Sequence, residues 1–327
     1  MGNKFDRFIS VAGMELLGSR PEWWKEILSF RYRYGEGREQ PLYLAIRNGY
    51  LNAYVEGQSI LKIAFDETVR PARLSGEVHH KYVHEGAEGQ VYLKFDGDHY
   101  FDKSGEAVLD SAGTTLASRV ERARKHTGAE KRGVAVIVGR HPQVIDVEMG
   151  LPANDSASPD VRPTAPRMDI VALEEDGAGA RIVFYEAKLF RNSERRADNL
   201  QPRVLTQLQR YVDWMDSPGR AEEVVSAYRR ACAIHVQVHA MREPGSVKPI
   251  YPLIQQAAID GSALTVDRHP RLVIFDYPPE ARDASWRRHE ETLHHAGVRL
   301  IMAPRSEDIV LPASATFGDN RGVVVQA

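Results

Sequence analysis

The sequence predicts an α/β protein in two parts: a mainly-β amino-terminal region, residues 1–105, and a layered α/β domain over residues 106–327. Short apolar runs separated by glycine-bearing turns fill the first part. In the second, strand-like and helix-like runs alternate, the pattern of a sheet covered by helices. A length of 327 residues also fits about two domains.

Taken in order, "PEWWKEILSFRYRYG" reads as a short helix with Pro21 near its first turn. "LYLAIRNGYLNAYVEGQSILKIAFD" reads as three strands joined at Asn48-Gly49 and Glu56-Gly57, and "VYLKFDGDHYFD" adds a hairpin around Asp96-Gly97. Ser111 to His126 reads as a helix with Leu116, Val120 and Ala123 on one side and Arg119, Arg122 and Lys125 on the other. "GVAVIVG" and "QVIDVEMGL" read as strands, and a loop rich in Pro, Ser and Asp follows from Pro152 to Pro166. "MDIVALE" and "RIVFYEAK" form a hairpin, with Gly177 and Gly179 in its turn. Helices are expected over 202–216 and 220–230. A strand is expected at "CAIHVQVHA", another at "RLVIFDY", a helix at "ARDASWRRHEETLHHAG" and a last strand at "VRLIMA".

Composition narrows the function classes. Hydrophobic residues make up 43% and charged residues 27%, as in ordinary globular domains. The single cysteine, Cys232, leaves no internal disulfide framework and no cysteine-based zinc site. That favours a reducing cytoplasm. No apolar run reaches about 18 residues, and "MGNKFDRFIS" lacks the basic and apolar regions of a signal peptide. No membrane association is expected. A net charge of −2 means that any nucleic-acid surface must concentrate its positive charge on one face.

Several motifs are missing. Neither a G-x-x-x-x-G-K loop nor a G-x-S-x-G elbow occurs, and "GAGA" leads into a strand rather than a helix. His79, His80 and His84 fall in a stretch whose valines and glycines favour strand and loop. His289, His294 and His295 contain no H-E-x-x-H pattern. Both groups read as structural or solvated histidines rather than a zinc site.

The chemistry concentrates on the hairpin. Alternation puts Glu186 and Lys188 on one strand face with Ala187 on the other, and the hairpin brings Asp169 near Glu186. Two carboxylates and one ammonium then share an apolar setting, where unpaired charge is costly. A hard divalent cation bound by oxygen relieves the repulsion between the acids. Such an ion polarises a phosphate and activates water, while Lys188 can orient the nucleophile or stabilise negative charge. Taken alone, Glu186 and Lys188 read first as a surface ion pair at a strand end, with Asp169 a polar residue near the turn.

Three neighbouring features add weight. From Lys188 to Arg210 the chain has six basic residues (Lys188, Arg191, Arg195, Arg196, Arg203, Arg210) against two acids, Glu194 and Asp198. Those arginines, with Asn192, form a candidate phosphate-contacting footprint. Gln207 and Tyr211 share a helix face at i, i+4. Upstream, Glu148 and Glu121 are candidate accessory acids. Glu148 is favoured because it alternates with Asp146 on a strand that can border Asp169.

In this order Asp169, Glu186-Ala187-Lys188 and Gln207-x-x-x-Tyr211 resemble the PD-(D/E)xK nuclease superfamily, and within it the branch related to the RecB nuclease domain. The proline that precedes the family's aspartate is absent here, where Arg167-Met168-Asp169 stands with Pro166 three residues upstream. The resemblance implies a restriction-endonuclease-like mixed sheet flanked by helices. It implies Mg²⁺ or Mn²⁺ held by Asp169, Glu186 and the Ala187 main-chain carbonyl, with Glu148 as a further candidate ligand. Catalysis would be assisted by Lys188, with accessory roles for Gln207 and Tyr211. The implied activity is phosphodiester hydrolysis, in DNA ahead of RNA. The amino-terminal region would serve specificity, dimerisation or docking. By analogy alone, such chains belong to restriction or phage-defence systems, acting as homodimers or with a defence-complex partner. The alternative is a non-catalytic subunit of the same fold that binds nucleic acid or protein. Retention of all three charged residues favours catalysis.

Overall fold

The computed structural model describes residues 4–19, 21–34, 37–67, 72–84, 91–110, 114–152, 167–191, 203–245, 247–278, 280 and 284–313. The chain is mixed α/β and divides into two compact units. The amino-terminal unit comprises Arg7–Arg132 and Ile234–Ile250, and the carboxyl-terminal unit Met1–Asp6, Gly133–Ala233 and Tyr251–Ala327.

The amino-terminal unit begins with helices α1 (Val11–Gly18) and α2 (Glu22–Ser29), then the two-stranded ribbon β1 (Arg31–Tyr34) and β2 (Arg38–Pro41). A seven-stranded antiparallel meander follows in sequence order. Its strands are β3 (Tyr43–Ile46), β4 (Tyr50–Val55), β5 (Gln58–Asp66), β6 (Arg73–His79), β7 (Tyr92–Phe95), β8 (His99–Phe101) and β9 (Ala107–Asp110). The β4–β5 turn has positive φ at both Glu56 (46°) and Gly57 (72°), the geometry that matches strand twist in a two-residue hairpin. Between β6 and β7, α3 (His80–Val83) forms one helical turn. This stretch was expected to be strand and loop.

Helix α4 (Leu116–Lys125) is capped by Thr115, whose side chain accepts from the Ser118 N–H. Its arginines turn inward more than periodicity suggests. Arg119, expected on the polar side, is buried with its guanidinium over the Phe95 ring at 5.0 Å. Arg124 pairs with Glu56 at 2.9 Å, and Arg122 donates to the Val83 carbonyl at 2.8 Å. These contacts, with β9 paired to β8, place residues 106–132 in the amino-terminal unit. The sequence expectation drew the boundary at 105/106; the compact units divide at 132/133.

The second unit contains α5 (Ala129–Arg140, from Gly133 on), β10 (Val144–Gly150), β11 (Arg167–Asp176), β12 (Gly179–Leu189), α6 (Arg203–Met215) and α7 (Arg220–Ala240, as far as Ala233). After these come α8 (Pro252–Ala257), β13 (Leu264–Val266), β14 (Arg271–Phe275), α9 (Ala284–His295) and β15 (Arg299–Met302). Six strands form one mixed sheet in the order β10-β11-β12-β14-β15, with β13 also on β12. The first three are antiparallel, and β12, β13, β14 and β15 pair in parallel. The parallel step from β12 to β14 requires a long crossover, which α6 to α8 supply.

Two segments expected as strands are helical. "GVAVIVG" lies in α5, where Gly133 to Ile137 are all buried. Gly133 is packed so closely that an added Cβ would lie 2.1 Å from the Phe275 ring. "CAIHVQVHA" lies in the second half of α7. The "GVAVIVG" run, buried from Gly133 to Ile137, carries no periodicity to separate helix from strand.

The sheet interior also holds a charged network. Glu174 is fully buried and accepts from the Tyr185 hydroxyl (2.7 Å) and from both terminal nitrogens of Arg271, Nη2 at 2.8 Å. Arg271 lies 3.6 Å from Asp267, which also accepts from Arg299 at 3.0 Å.

Candidate functional site

The register of the antiparallel strands builds the site. Pairing of β11 with β12 begins at Ile170↔Tyr185, so one further step sets Asp169 against Glu186. On the other side, Val147↔Ile170 and Met149↔Met168 bracket Glu148 opposite Asp169. Glu148, Asp169 and Glu186 thus form a row across three neighbouring strands. Directly opposed residues in regular pairing share a sheet face; Glu148, at φ 50°, departs from that geometry.

The Ala187 N–H donates to Asp169 Oδ2 at 2.8 Å, tying that carboxylate to the backbone of β12. Lys188 Nζ lies 2.6 Å from Glu186 Oε1. Glu186 is 2% exposed and Lys188 7%, whereas Asp169 and Glu148 are half-buried. Burial pushes the Glu186 carboxyl up to about 8, the nearby Asp169 charge adds to this, and Lys188 and a hydrogen bond from Gln207 act against it. Burial and the neighbouring carboxylate thus outweigh the Lys188 ammonium at Glu186.

Gln207 and Tyr211, expected to act together, have different parts. Gln207 is half-buried at the edge of α6, bonded to the Glu186 carboxylate and 3.4 Å from the Arg167 carbonyl. Tyr211 is fully buried, its ring 4.9 Å from Phe184, and its hydroxyl has no hydrogen-bond partner among the described residues. It packs α6 onto the sheet with Val204, Leu208, Trp214 and Met215 and presents no phenol to a ligand. Arg191, Arg203 and Arg210 are exposed. Asn192, Arg195 and Arg196 lie outside the described residues, as does the expected loop from residue 153 to 166. Glu121 is exposed on α4 of the amino-terminal unit.

Among the described residues no three His, Cys, Asp or Glu side chains converge as a metal-binding group. Asp169 and Glu186 are two carboxylates, and one or two protein carboxylates is the number a magnesium-like ion takes. Ala187 contributes its N–H to the arrangement.

Sequence reasoning missed the support beneath this row. Asp146 is 1% exposed and accepts from the Tyr228 hydroxyl at 3.0 Å. Tyr228 on α7 is far from the motif in sequence and carries no pattern that marks it; only the acidic residue inside an apolar strand was a signal. Among the described residues no helix is long and apolar enough to cross a membrane. Compared with protein-family models, curated proteins and solved structures, the chain has no significant match.

Proposed function

We propose that the chain is a divalent-metal-dependent nuclease that hydrolyses phosphodiester bonds, with DNA as its expected substrate. One observation carries the reading: Asp169, one step beyond the Ile170↔Tyr185 pair, accepts from the Ala187 N–H next to Glu186, whose paired ammonium is Lys188. The resemblance to PD-(D/E)xK nucleases supports it. So does a mixed sheet in which an aspartate strand, a Glu-Ala-Lys strand and a helix bearing Gln207 follow in that order.

In this reading Asp169 and Glu186 hold the cation, Mg²⁺ or Mn²⁺, which when bound polarises a phosphate and lowers the pKa of water. Asp169 is oriented by the Ala187 N–H and Glu186 by Gln207. Lys188 supplies positive charge where negative charge develops on the phosphate. The exposed Arg191, Arg203 and Arg210 offer contacts to the nucleic-acid backbone. The 2.6 Å Glu186–Lys188 ion pair also suits a second reading, a non-catalytic binding subunit in which the lysine neutralises the site.

Plasmid and single-stranded DNA incubated with Mg²⁺, Mn²⁺ or chelator test both. Metal-dependent cleavage that disappears in Lys188→Ala is expected. Cleavage that persists in Lys188→Ala would overturn the mechanism. Salt-sensitive DNA binding without cleavage would favour the binding subunit.

A further inference from the structure

Helix α4 of the amino-terminal unit carries a buried charge with no partner. Arg119 is 3% exposed, and its guanidinium lies over the Phe95 ring of β7 at 5.0 Å. Among the described residues neither its Nε nor its Nη1 has a hydrogen-bond partner. The Tyr100 hydroxyl of β8 is in the same condition. Tyr100 is fully buried and stacked on Phe95 at 4.9 Å, and among the described residues its oxygen is likewise without a partner. Two orphaned polar side chains thus meet at one aromatic ring.

The two groups differ in what can satisfy them. Water can serve a buried hydroxyl, but it cannot cancel a charge. Nor can arginine shed its proton, as a buried lysine can. Burial draws the Arg119 guanidinium down from its ordinary value, and Tyr100 and Glu26 act against that. Attraction to the Phe95 ring offsets part of the desolvation cost, yet a buried charge without an opposite one stays expensive. The neighbouring charges do not balance. Glu26 on α2 is exposed, while Arg122 adds a second positive charge that acts on Tyr100. Arg122 already donates to the Tyr82 and Val83 carbonyls, at 3.3 and 2.8 Å. Two cations therefore face one solvent-screened carboxylate.

We infer that Arg119 and the Tyr100 hydroxyl form a binding site for a small monovalent anion of halide size inside the amino-terminal unit. One uncompensated positive charge calls for one negative charge. The guanidinium and the phenol supply the donors, and hydrogen bonds to an ionised acceptor are about twice as strong as neutral ones. Nε and Nη1 are closed to solvent and set beside aromatic rings, which favours a compact ion over a phosphate group. The ion neutralises Arg119 and ties α4 to β7 and β8, so its role is to stabilise this unit. The inference does not depend on the nuclease reading.

The test is thermal unfolding of the full chain in sodium bromide, with ionic strength held constant by the bulky anion gluconate. The melting temperature is expected to climb with bromide concentration, as for any ligand that binds only the folded state. Phosphate at the same ionic strength should stabilise no more than gluconate. Arg119→Met is expected to abolish the bromide response. Tyr100→Phe, which keeps the ring, should move the response to roughly tenfold higher bromide, and it serves as the second route if Arg119→Met does not fold. Glu26→Gln removes a competing negative charge and should move the response to lower bromide. Anomalous scattering from bromide-soaked crystals should place the ion against the Arg119 guanidinium. No response beyond gluconate, an unchanged response in Arg119→Met or Tyr100→Phe, stabilisation by phosphate alone, or a bromide ion only elsewhere overturns the inference. So does a loss of stability in Glu26→Gln as large as in Arg119→Met, which would make Glu26 the counter-charge.

Discussion

Two groups of buried charge occupy the same sheet and are resolved in opposite ways. Around Glu174 the charges balance: Glu174 and Asp267 face Arg271 and Arg299, and the Tyr185 hydroxyl fills a further acceptor position. Around Glu186 burial wins: the carboxyl pairs with Lys188 at 2.6 Å, yet desolvation and the nearby Asp169 push it up to about 8. Glu174 and Glu186 both lie in strands buried on both faces, so burial alone does not separate them. The difference is in what answers the burial: Arg271 reaches Glu174 through both terminal nitrogens, whereas Lys188 meets Glu186 with Asp169 close by and the carboxyl stays pushed up.

Substitutions should separate the two roles. The largest effect on stability is expected from Arg271→Met, which strands Glu174 without its cation. A loss of about 3–5 kcal/mol, measured by chemical denaturation, is the expected size for breaking a buried pair. The same measurement on Lys188→Met should give a distinctly smaller loss, because Glu186 can keep its proton instead. Equal losses would erase the contrast between the clusters.

On cleavage the ranking inverts. Lys188→Ala should reduce turnover by about 10²- to 10³-fold, the usual range for a lost group that stabilises developing charge. Single-turnover kinetics at saturating metal would measure it.

Next is the sign of neutralisation. In chelator at pH 8, Glu186→Gln should raise the melting temperature, since it removes a carboxylate that is costly to ionise. Glu174→Gln should lower it, since it weakens a satisfied ion pair. Glu186→Gln should also abolish any stabilisation by added Mg²⁺.

The smallest effects are in pH dependence. The folded chain keeps the Glu186 proton up to about 8, whereas the unfolded chain releases it near the ordinary 4.5. Between those values the folded state binds more protons, so the Glu186 contribution to stability falls as pH rises. Melting temperatures in chelator should show this fall, and Glu186→Gln should flatten it. Gln207→Leu removes a hydrogen bond that favours the carboxylate and should move the midpoint upward.

Much of the local architecture was legible. Asn48-Gly49, Glu56-Gly57 and Asp96-Gly97 mark real turns. Alternation and Gly177 located the β11–β12 hairpin, the 3.6-residue period located α4, and the helices expected over 202–216 and at "ARDASWRRHEETLHHAG" are α6 and α9. Other features were not legible, for reasons of distance. Arg119 looks solvent-facing by helical period, yet finds the Phe95 ring. Tyr211 reads as a functional partner of Gln207, yet Phe184 buries it. Asp146 meets Tyr228 across 82 positions, and Glu174 meets Arg271 across 97.

By itself the sequence determined which chemistry was available and which segments would carry it: turns need particular backbone angles, strands alternate, and Asp169, Glu186 and Lys188 are fixed as residue types within adjoining strands. Only the tertiary structure decided which charges are neutralised. That depends on strand register and on partners drawn from distant helices and strands, and burial makes each unmatched charge costly enough to define a site.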